Sequence, residues 1–388
     1  MSLAINNSPT ASDASGKIKI MVVDDSVVIR GMISRWLDAL PDMQVVARCR
    51  DGQDAVNTIS RVAVDVVILD IEMPVMDGLT ALPQLLAAAP KTKILMASTL
   101  TRRNASISIK ALTLGATDYV PKPEATKDGH ASAEFQQELV DKIRAVASKR
   151  KPASAAPRRV FAAERTSVAE GRRPLASLTS PVVPALVFQK ASTVVPRVLA
   201  VGSSTGGPKA LFDFFGKVSP ALDKIPTVIT QHMPPTFTAI LAEHISSCSN
   251  RTCVEGADGM KLEAGKIYVA PGGKHMLFDK NGTEIVIRLD DGAPVNFCKP
   301  AVDPMLDSLL GHYGPAVLVC ILTGMGHDGR DGSKRVQQQG GTILAQDEAT
   351  SVVWGMPGAV AQAGICHKVL PLVELPDTAA RLIKGGRA

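Results

Sequence analysis

The chain carries two stretches in which short apolar runs alternate with amphipathic segments, separated by one stretch that has no period at all. Between Lys17 and Ala147 the runs "KIKIMVVDD", "MQVVARCR", "DVVILDIEMP", "KILMAS" and "DYVPKP" are rich in Val and Ile, as strands buried on both faces should be. Helical segments lie between them, among them "SVVIRGMISRWLDAL" and "DGLTALPQLLAAA". Five such alternations predict a doubly wound domain of the flavodoxin-like kind, with strand order 2-1-3-4-5. From Arg197 the rhythm returns: "RVLAVGSS", "TVITQHM", "KIYVAP", "EIVIRL", "AVLVCILTG", "TILAQDE" and "KVLPL" read as strands. "PKALFDFFGKV", "TFTAILAEHISS", "AVDPMLDSLLGHY" and "DGSKRVQQQG" read as helices. The prediction is a second α/β domain, doubly wound and mostly parallel. A short antiparallel excursion is expected over 266–289, where Pro271-Gly272-Gly273 and Asn281-Gly282 signal turns.

Residues 1–16 read as a disordered tail, 17–147 as the first domain and 195–388 as the second. Between them, 148–194 is loaded with Pro, Ala, Ser and Arg and reads as a flexible linker. That segment also explains the charge. It holds nine Lys or Arg and two Glu, so its net of +7 exceeds the +6 of the whole chain and leaves the two domains near neutral. With aromatic content of only 4% there is little to stack on bases, so nucleic acid is not an expected partner. The six cysteines, at 49, 248, 253, 298, 320 and 366, form no C-x-x-C pair and fit a reducing compartment. The polar start has no signal-peptide pattern and no apolar run reaches ~18 residues, so a cytoplasmic protein without membrane insertion is expected.

Candidate chemistry collects at strand ends. Asp24 and Asp25 close the first strand and Asp70 the third, which are neighbours in the expected order. Three carboxylates there form a cup suited to Mg²⁺, with Ser98 and Lys122 at the ends of the fourth and fifth strands facing it. The set "VVDDS…LDIEMPVMDG…AST…PKP" resembles the response-regulator receiver domain. The resemblance implies that Asp70 accepts a phosphoryl group from a histidine kinase, that Asp24, Asp25 and Asp70 bind Mg²⁺, and that Ser98 and Lys122 sense phosphorylation.

In the second domain Gly202-Ser203-Ser204-Thr205-Gly206 spells G-x-S-x-G, compatible with a nucleophile turn, a phosphate loop or a plain turn. A serine needs a base, and a base needs an orienting group. Of seven histidines, His232 follows a strand directly, as Asp328 does on a glycine-rich turn. His327 is the rival base, but adjacency to Asp328 disfavours a bond between them. His275 is a weaker candidate for touching substrate. The order Ser204, His232, Asp328 departs from α/β-hydrolases, and the loop lacks the dinucleotide-binding G-x-G-x-x-G. "GSSTGG", "QHMPPTFT" and "TGMGHDG" resemble the catalytic domain of chemotaxis protein-glutamate methylesterases, the CheB family, whose members join a receiver to this domain. By position the resemblance makes Ser204 the nucleophile, His232 the general base and Asp328 the orienting acid, with N–H groups at Gly206 and Met325 as oxyanion donors. It implies hydrolysis of glutamate methyl esters, and deamidation of glutamines, on methyl-accepting chemotaxis receptors, with no metal for that step. A CheA-type kinase would be the phosphodonor. The alternative is a phosphorylation-controlled receptor-binding module without esterase activity.

Overall fold

The apolar runs of both halves become parallel strands with helices on either face. The computed structural model describes residues 16–99, 101–122, 129–148 and 186–386. The first unit runs β1 (Ile18–Val23), α1 (Val27–Asp38), β2 (Met43–Cys49), α2 (Gly52–Ile59), β3 (Val66–Asp70), α3 (Gly78–Ala88), β4 (Lys93–Thr99), α4 (Arg102–Thr113), β5 (Asp118–Lys122) and α5 (Gly129–Ala147). Its sheet has the expected order β2-β1-β3-β4-β5. β3 is buried at every position, whereas the edge strand β2 alternates and puts its polar Gln44 and Arg48 on the exposed face. Ser26, Asp51, Asp77 and Thr101 cap the helices that follow four of these strands, each accepting from an N–H of the first turn.

The second unit contains β6 (Val198–Ser203), α6 (Gly207–Val218), β7 (Thr227–Gln231), α7 (Phe237–Ser249), β8 (Cys253–Glu255), β9 (Ile267–Val269), β10 (His275–Asn281) and β11 (Glu284–Asp290). It continues with α8 (Val302–Tyr313), β12 (Val317–Ile321), α9 (Arg330–Gln338), β13 (Thr342–Gln346), α10 (Met356–Gln362), β14 (Lys368–Leu370) and α11 (Leu375–Ile383). Seven parallel strands lie in the order β14-β13-β12-β6-β7-β9-β8, and β10 pairs antiparallel with β11 in a separate sheet. The antiparallel excursion is therefore 275–290, narrower than the sequence suggested. "KIYV" belongs to the parallel sheet because β9 is buried on both faces, while β10 and β11 each leave part of their length exposed.

One boundary shifts. Residues 186–194, expected to end the linker, are bound to the second unit. The Gln189 N–H donates to Cys366 O at 2.8 Å, its side chain to Gly364 O at 2.7 Å, and the Ser192 N–H to Thr342 Oγ1 at 2.9 Å. The rest of the expected linker, 149–185, and nearly all of the tail lie outside the described residues. Among the described residues no helix is long and apolar enough to cross a membrane.

The two units share one apolar seam. Ile109, Leu112 and Tyr119 of the first belong to the same buried cluster as Phe237 and Leu241 of the second. α4 packs on α7, the Tyr119 ring stacks on Phe237 at 4.5 Å and 8°, and Arg102 pairs with Glu243 at 3.1 Å.

Candidate functional site

Ligand crevices of parallel sheets open at the carboxyl ends of strands where the winding reverses. In the second unit the chain leaves β6 toward β7 on one side and later enters β12 on the other, so the reversal lies between β6 and β12. Ser204 follows β6, His232 follows β7, and Asp328 lies on the turn after β12. All three line one cleft of about 700 Å³. The cleft brings the three expected residues together, with one difference in their contacts.

His232 and Asp328 are in direct contact, Nε2 to Oδ2 at 2.8 Å. Asp328 is almost fully buried and heavily solvated by the protein. Its Oδ2 also accepts from Val302 N at 2.6 Å, and its Oδ1 from Asp303 N, Gly329 N and Asn296 Nδ2 at 3.2, 2.9 and 3.0 Å. Val302 and Asp303 open α8, so the carboxylate sits where the helix dipole is positive. Burial alone would raise its proton affinity. The bond and charge of His232, with the Val302 and Asn296 donors, outweigh burial and hold the acid at about 2. A permanent carboxylate on Nε2 fixes the tautomer of neutral His232, with the proton on Nε2 and the lone pair on Nδ1.

Nδ1 is where the difference lies. It faces Cys298 Sγ at 3.3 Å, and the Ser204 hydroxyl has no hydrogen-bond partner among the described residues. Burial depresses the basicity of His232. The hydrogen bonds and charges of Asp328 and Cys298 overcome it and push the imidazole up to about 9.

The turn that carries Ser204 is built around Gln231. Its amide donates to Ser204 O at 3.0 Å and to His232 O at 3.1 Å, while Oε1 accepts from the buried Ser203 hydroxyl at 2.6 Å. Ser203 is thus committed to the scaffold. A Cβ on Gly207 would lie 2.0 Å from Gln231 Oε1, and Gly206 has φ 73°, so both glycines are required by shape. Gly207→Ala is expected to cost ~1–3 kcal/mol by overpacking, read as a lower Tm, and to loosen the Ser204 turn; an unchanged Tm would show that Gln231 yields freely.

Of the two expected oxyanion donors, Met325 lines the cleft with Ser204 and Thr205, and its N–H donates to no described residue. Gly206 instead borders a second cavity, beside Thr323 and Val352. His327 is exposed on the rim of the cleft. His275 is buried, with Nε2 on Ala293 O and Nδ1 accepting from Ala301 N, and so belongs to the scaffold rather than the cleft.

Sequence reasoning missed Asn296, Cys298 and Gln231. Asn296 donates to both Asp328 and Asp303, from a turn in which Val295 and Cys298 exchange backbone hydrogen bonds. Positive φ at Asn296 and Phe297, 52° and 63°, is the pattern of a type I′ turn, and Asn is its one sequence signal here.

In the first unit, Asp24, Asp25 and Asp70 present carboxylate oxygens within 4.8 Å of one another. Lys122 Nζ lies 2.6 Å from Asp24 Oδ2 and 2.8 Å from Asp70 Oδ1. Burial pushes Asp70 up to about 6, against the opposing charge and hydrogen bond of Lys122. Three carboxylates facing one ammonium leave an excess of negative charge that suits a divalent cation. Ser98 does not point into this cup. Its hydroxyl bonds to Ser108 of α4 at 3.0 Å.

The cleft around Ser204 has a further wall that comes from the first unit: Asp118, Tyr119, Gln137, Glu138, Asp141 and Lys142 line it too. Residues 20–134 match the family described as the response regulator receiver domain, and residues 199–379 match CheB methylesterase. A protein-glutamate methylesterase/protein-glutamine glutaminase of group 2 operon from Rhodopseudomonas palustris is 50% identical over the whole of both chains. A protein-glutamate methylesterase/protein-glutamine glutaminase from Nitrobacter hamburgensis is 51% identical over 97% of this chain and 98% of its own. The solved catalytic domain of Thermotoga maritima CheB methylesterase is 38% identical over 49% of this chain and all of its own, with a TM-score of 0.47. With a receiver fold, a serine turn and an imidazole–carboxylate pair in one chain, and full-length relatives at half identity, this protein belongs to the CheB family of response-regulator methylesterases.

Proposed function

We propose that the chain hydrolyses glutamate methyl esters, and deamidates glutamines, on methyl-accepting chemotaxis receptors by a serine acyl-enzyme route. The observation that carries the reading is the His232–Asp328 pair, held at 2.8 Å in the same cleft as an unpartnered Ser204 hydroxyl. Ser204 Oγ attacks the side-chain carbonyl as its proton passes to His232 Nδ1, the nitrogen left basic by the Nε2–Asp328 bond. In doing so Ser204 takes the place that Cys298 holds at Nδ1 in the resting cleft. The developing oxyanion is received by the Met325 N–H, with the Gly206 N–H as second candidate. Methanol, or ammonia from glutamine, departs with the proton held on His232. Water then deacylates Ser204 with the same base. Methanol release from a methylated receptor, measured with the purified chain, tests the activity.

Because His232 must be neutral to accept a proton, its raised proton affinity has a definite sign. Activity is lost as pH falls through the folded value, so kcat/KM is expected to climb through the alkaline range with an inflection at about 9. Cys298→Ala removes a contributor to that shift and should move the inflection down. A profile flat from neutral to alkaline pH would contradict this assignment of the base.

In the receiver, Asp70 is the phosphoacceptor of this reading. Both of its contacts, to Lys122 and to the Ile71 N–H, use Oδ1, which leaves Oδ2 for the incoming group. Asp24, Asp25 and Asp70 would hold Mg²⁺, whose role is to neutralise phosphoryl charge. Lys122 neutralises the rest, and Ser98 joins only if its hydroxyl leaves Ser108. A histidine kinase of the CheA type supplies the phosphoryl group, in the cytoplasm. The unphosphorylated receiver covers the Ser204 cleft, and phosphorylation relieves it.

A further inference from the structure

We propose that Cys298 is a second nucleophile of the cleft, a modification site for small, uncharged, soft electrophiles through which ester hydrolysis is shut off. The cysteine is one member of a nucleophile–base–acid array. Its Sγ is 3.3 Å from His232 Nδ1, and His232 Nε2 is 2.8 Å from Asp328 Oδ2. That is the arrangement in which a base strips a thiol and a carboxylate holds the base. In this structure the thiol, not the Ser204 hydroxyl, occupies the lone pair of the base. Cys298 is partly exposed and lines the cleft. The turn that carries it is closed by the paired Val295 and Cys298 backbones, and Sγ also lies 3.4 Å from Asn296 O, so the sulfur sits between that carbonyl and the imidazole.

The other cysteines provide internal controls. Cys49, Cys253, Cys320 and Cys366 are buried, and burial pushes each thiol well up, away from the reactive thiolate. Cys248 is exposed but its sulfur meets only the Ile245 carbonyl oxygen at 3.4 Å, with no base beside it. Among the six, Cys298 alone combines access with an imidazole.

With iodoacetamide as the electrophile the step balances simply. Cys298 Sγ attacks the methylene carbon, an S–C bond forms, the C–I bond breaks and iodide leaves. The thiol proton passes to His232 Nδ1. The added carboxamidomethyl group then stands between Ser204 and the base, which is how modification stops the esterase. That last consequence rests on the function proposed above; the alkylation itself does not.

The test uses the full chain, iodoacetamide at a pH above the His232 value of about 9, where the imidazole is free to take the thiol proton, and mass spectrometry of the Cys298 and Cys248 peptides over time. Cys298 is expected to react about tenfold faster than Cys248. His232→Gln should slow Cys298 by about tenfold and leave Cys248 unchanged. Methanol release should fall in step with Cys298 labelling, and the activity that Cys298→Ala retains should no longer respond to the reagent. Equal rates at the two cysteines, or a Cys298 rate indifferent to His232→Gln, would overturn the proposal. Because both rates are read without ester substrate, they stand whatever becomes of the esterase assignment. Fast labelling that left methanol release untouched would sink the shut-off alone.

Discussion

Ser204→Ala is expected to lower kcat/KM for methanol release by ~10³-fold or more, with the fold and the Tm little changed. The magnitude follows from what is removed. The neighbouring Ser203 cannot take its place, being buried and spent on Gln231. Binding and the oxyanion donors would retain only the residual rate enhancement that survives loss of a nucleophile in serine hydrolases, where each member of a triad depends on the others. For the same reason His232→Gln should cost about as much. The double variant should be little worse than either single one, because a nucleophile and its base act as a unit. Retention of a tenth of the wild-type rate by Ser204→Ala would remove Ser204 from the mechanism.

Releasing the receiver should have the second largest effect, in the opposite direction. The surfaces that line the cleft from the receiver side belong to β5 and α5, and β5 ends on Lys122, which touches Asp70. Three residues earlier in the same strand, Tyr119 stacks on Phe237 at the start of α7, with Lys142 Nζ 4.9 Å from the centre of the Tyr119 ring. Phosphorylation at Asp70 would draw Lys122 toward the new charge and disturb the strand that carries this stack. A hundredfold activation needs ~2.7 kcal/mol of differential stabilisation. The aromatic stack offers ~0.5–1.5 kcal/mol beyond its buried area, and the exposed Arg102–Glu243 pair ~0.2–1 kcal/mol, so the seam holds the receiver down by an amount that a phosphoryl group can reverse. Removing residues 1–147, or changing Tyr119→Ala in the full chain, is therefore expected to raise methanol release ~10–100-fold. A small-molecule phosphodonor with Mg²⁺ should do the same to the wild type and nothing to Asp70→Asn. A truncated enzyme no faster than the intact one would count against a covering role for the receiver.

Much of this was legible in the residues. Strands buried on both faces announce themselves as Val- and Ile-rich runs, and the strand order of the receiver followed from them. Ser204, His232 and Asp328 could be chosen because each directly follows such a run or sits on the glycine turn beyond it. The parts that escaped are those set by tertiary contact. β8 is three residues long and α10 seven, too short for a period to emerge. β9 looks like a hairpin strand from its flanking turn residues, yet burial on both faces puts it in the parallel sheet. Gln189 belongs to the second domain only because its amide meets carbonyls near β14, which composition cannot reveal. Cys298 is far along the chain from His232 and lies in a loop with neither strand nor helix character. Its place on Nδ1 depends on the fold of the 295–298 turn, so no spacing rule points to it.

The most direct measurement of the central claim is the site of covalent attack by a hard acyl-type electrophile. The full chain would be treated with a fluorophosphonate and the adduct mapped by peptide mass spectrometry. Phosphonylation of Ser204 is expected, lost in His232→Gln, because that hydroxyl is unpartnered and shares the cleft with the activated imidazole. An adduct on Cys298 in place of Ser204, or labelling of Ser204 that ignores the loss of His232, would contradict it.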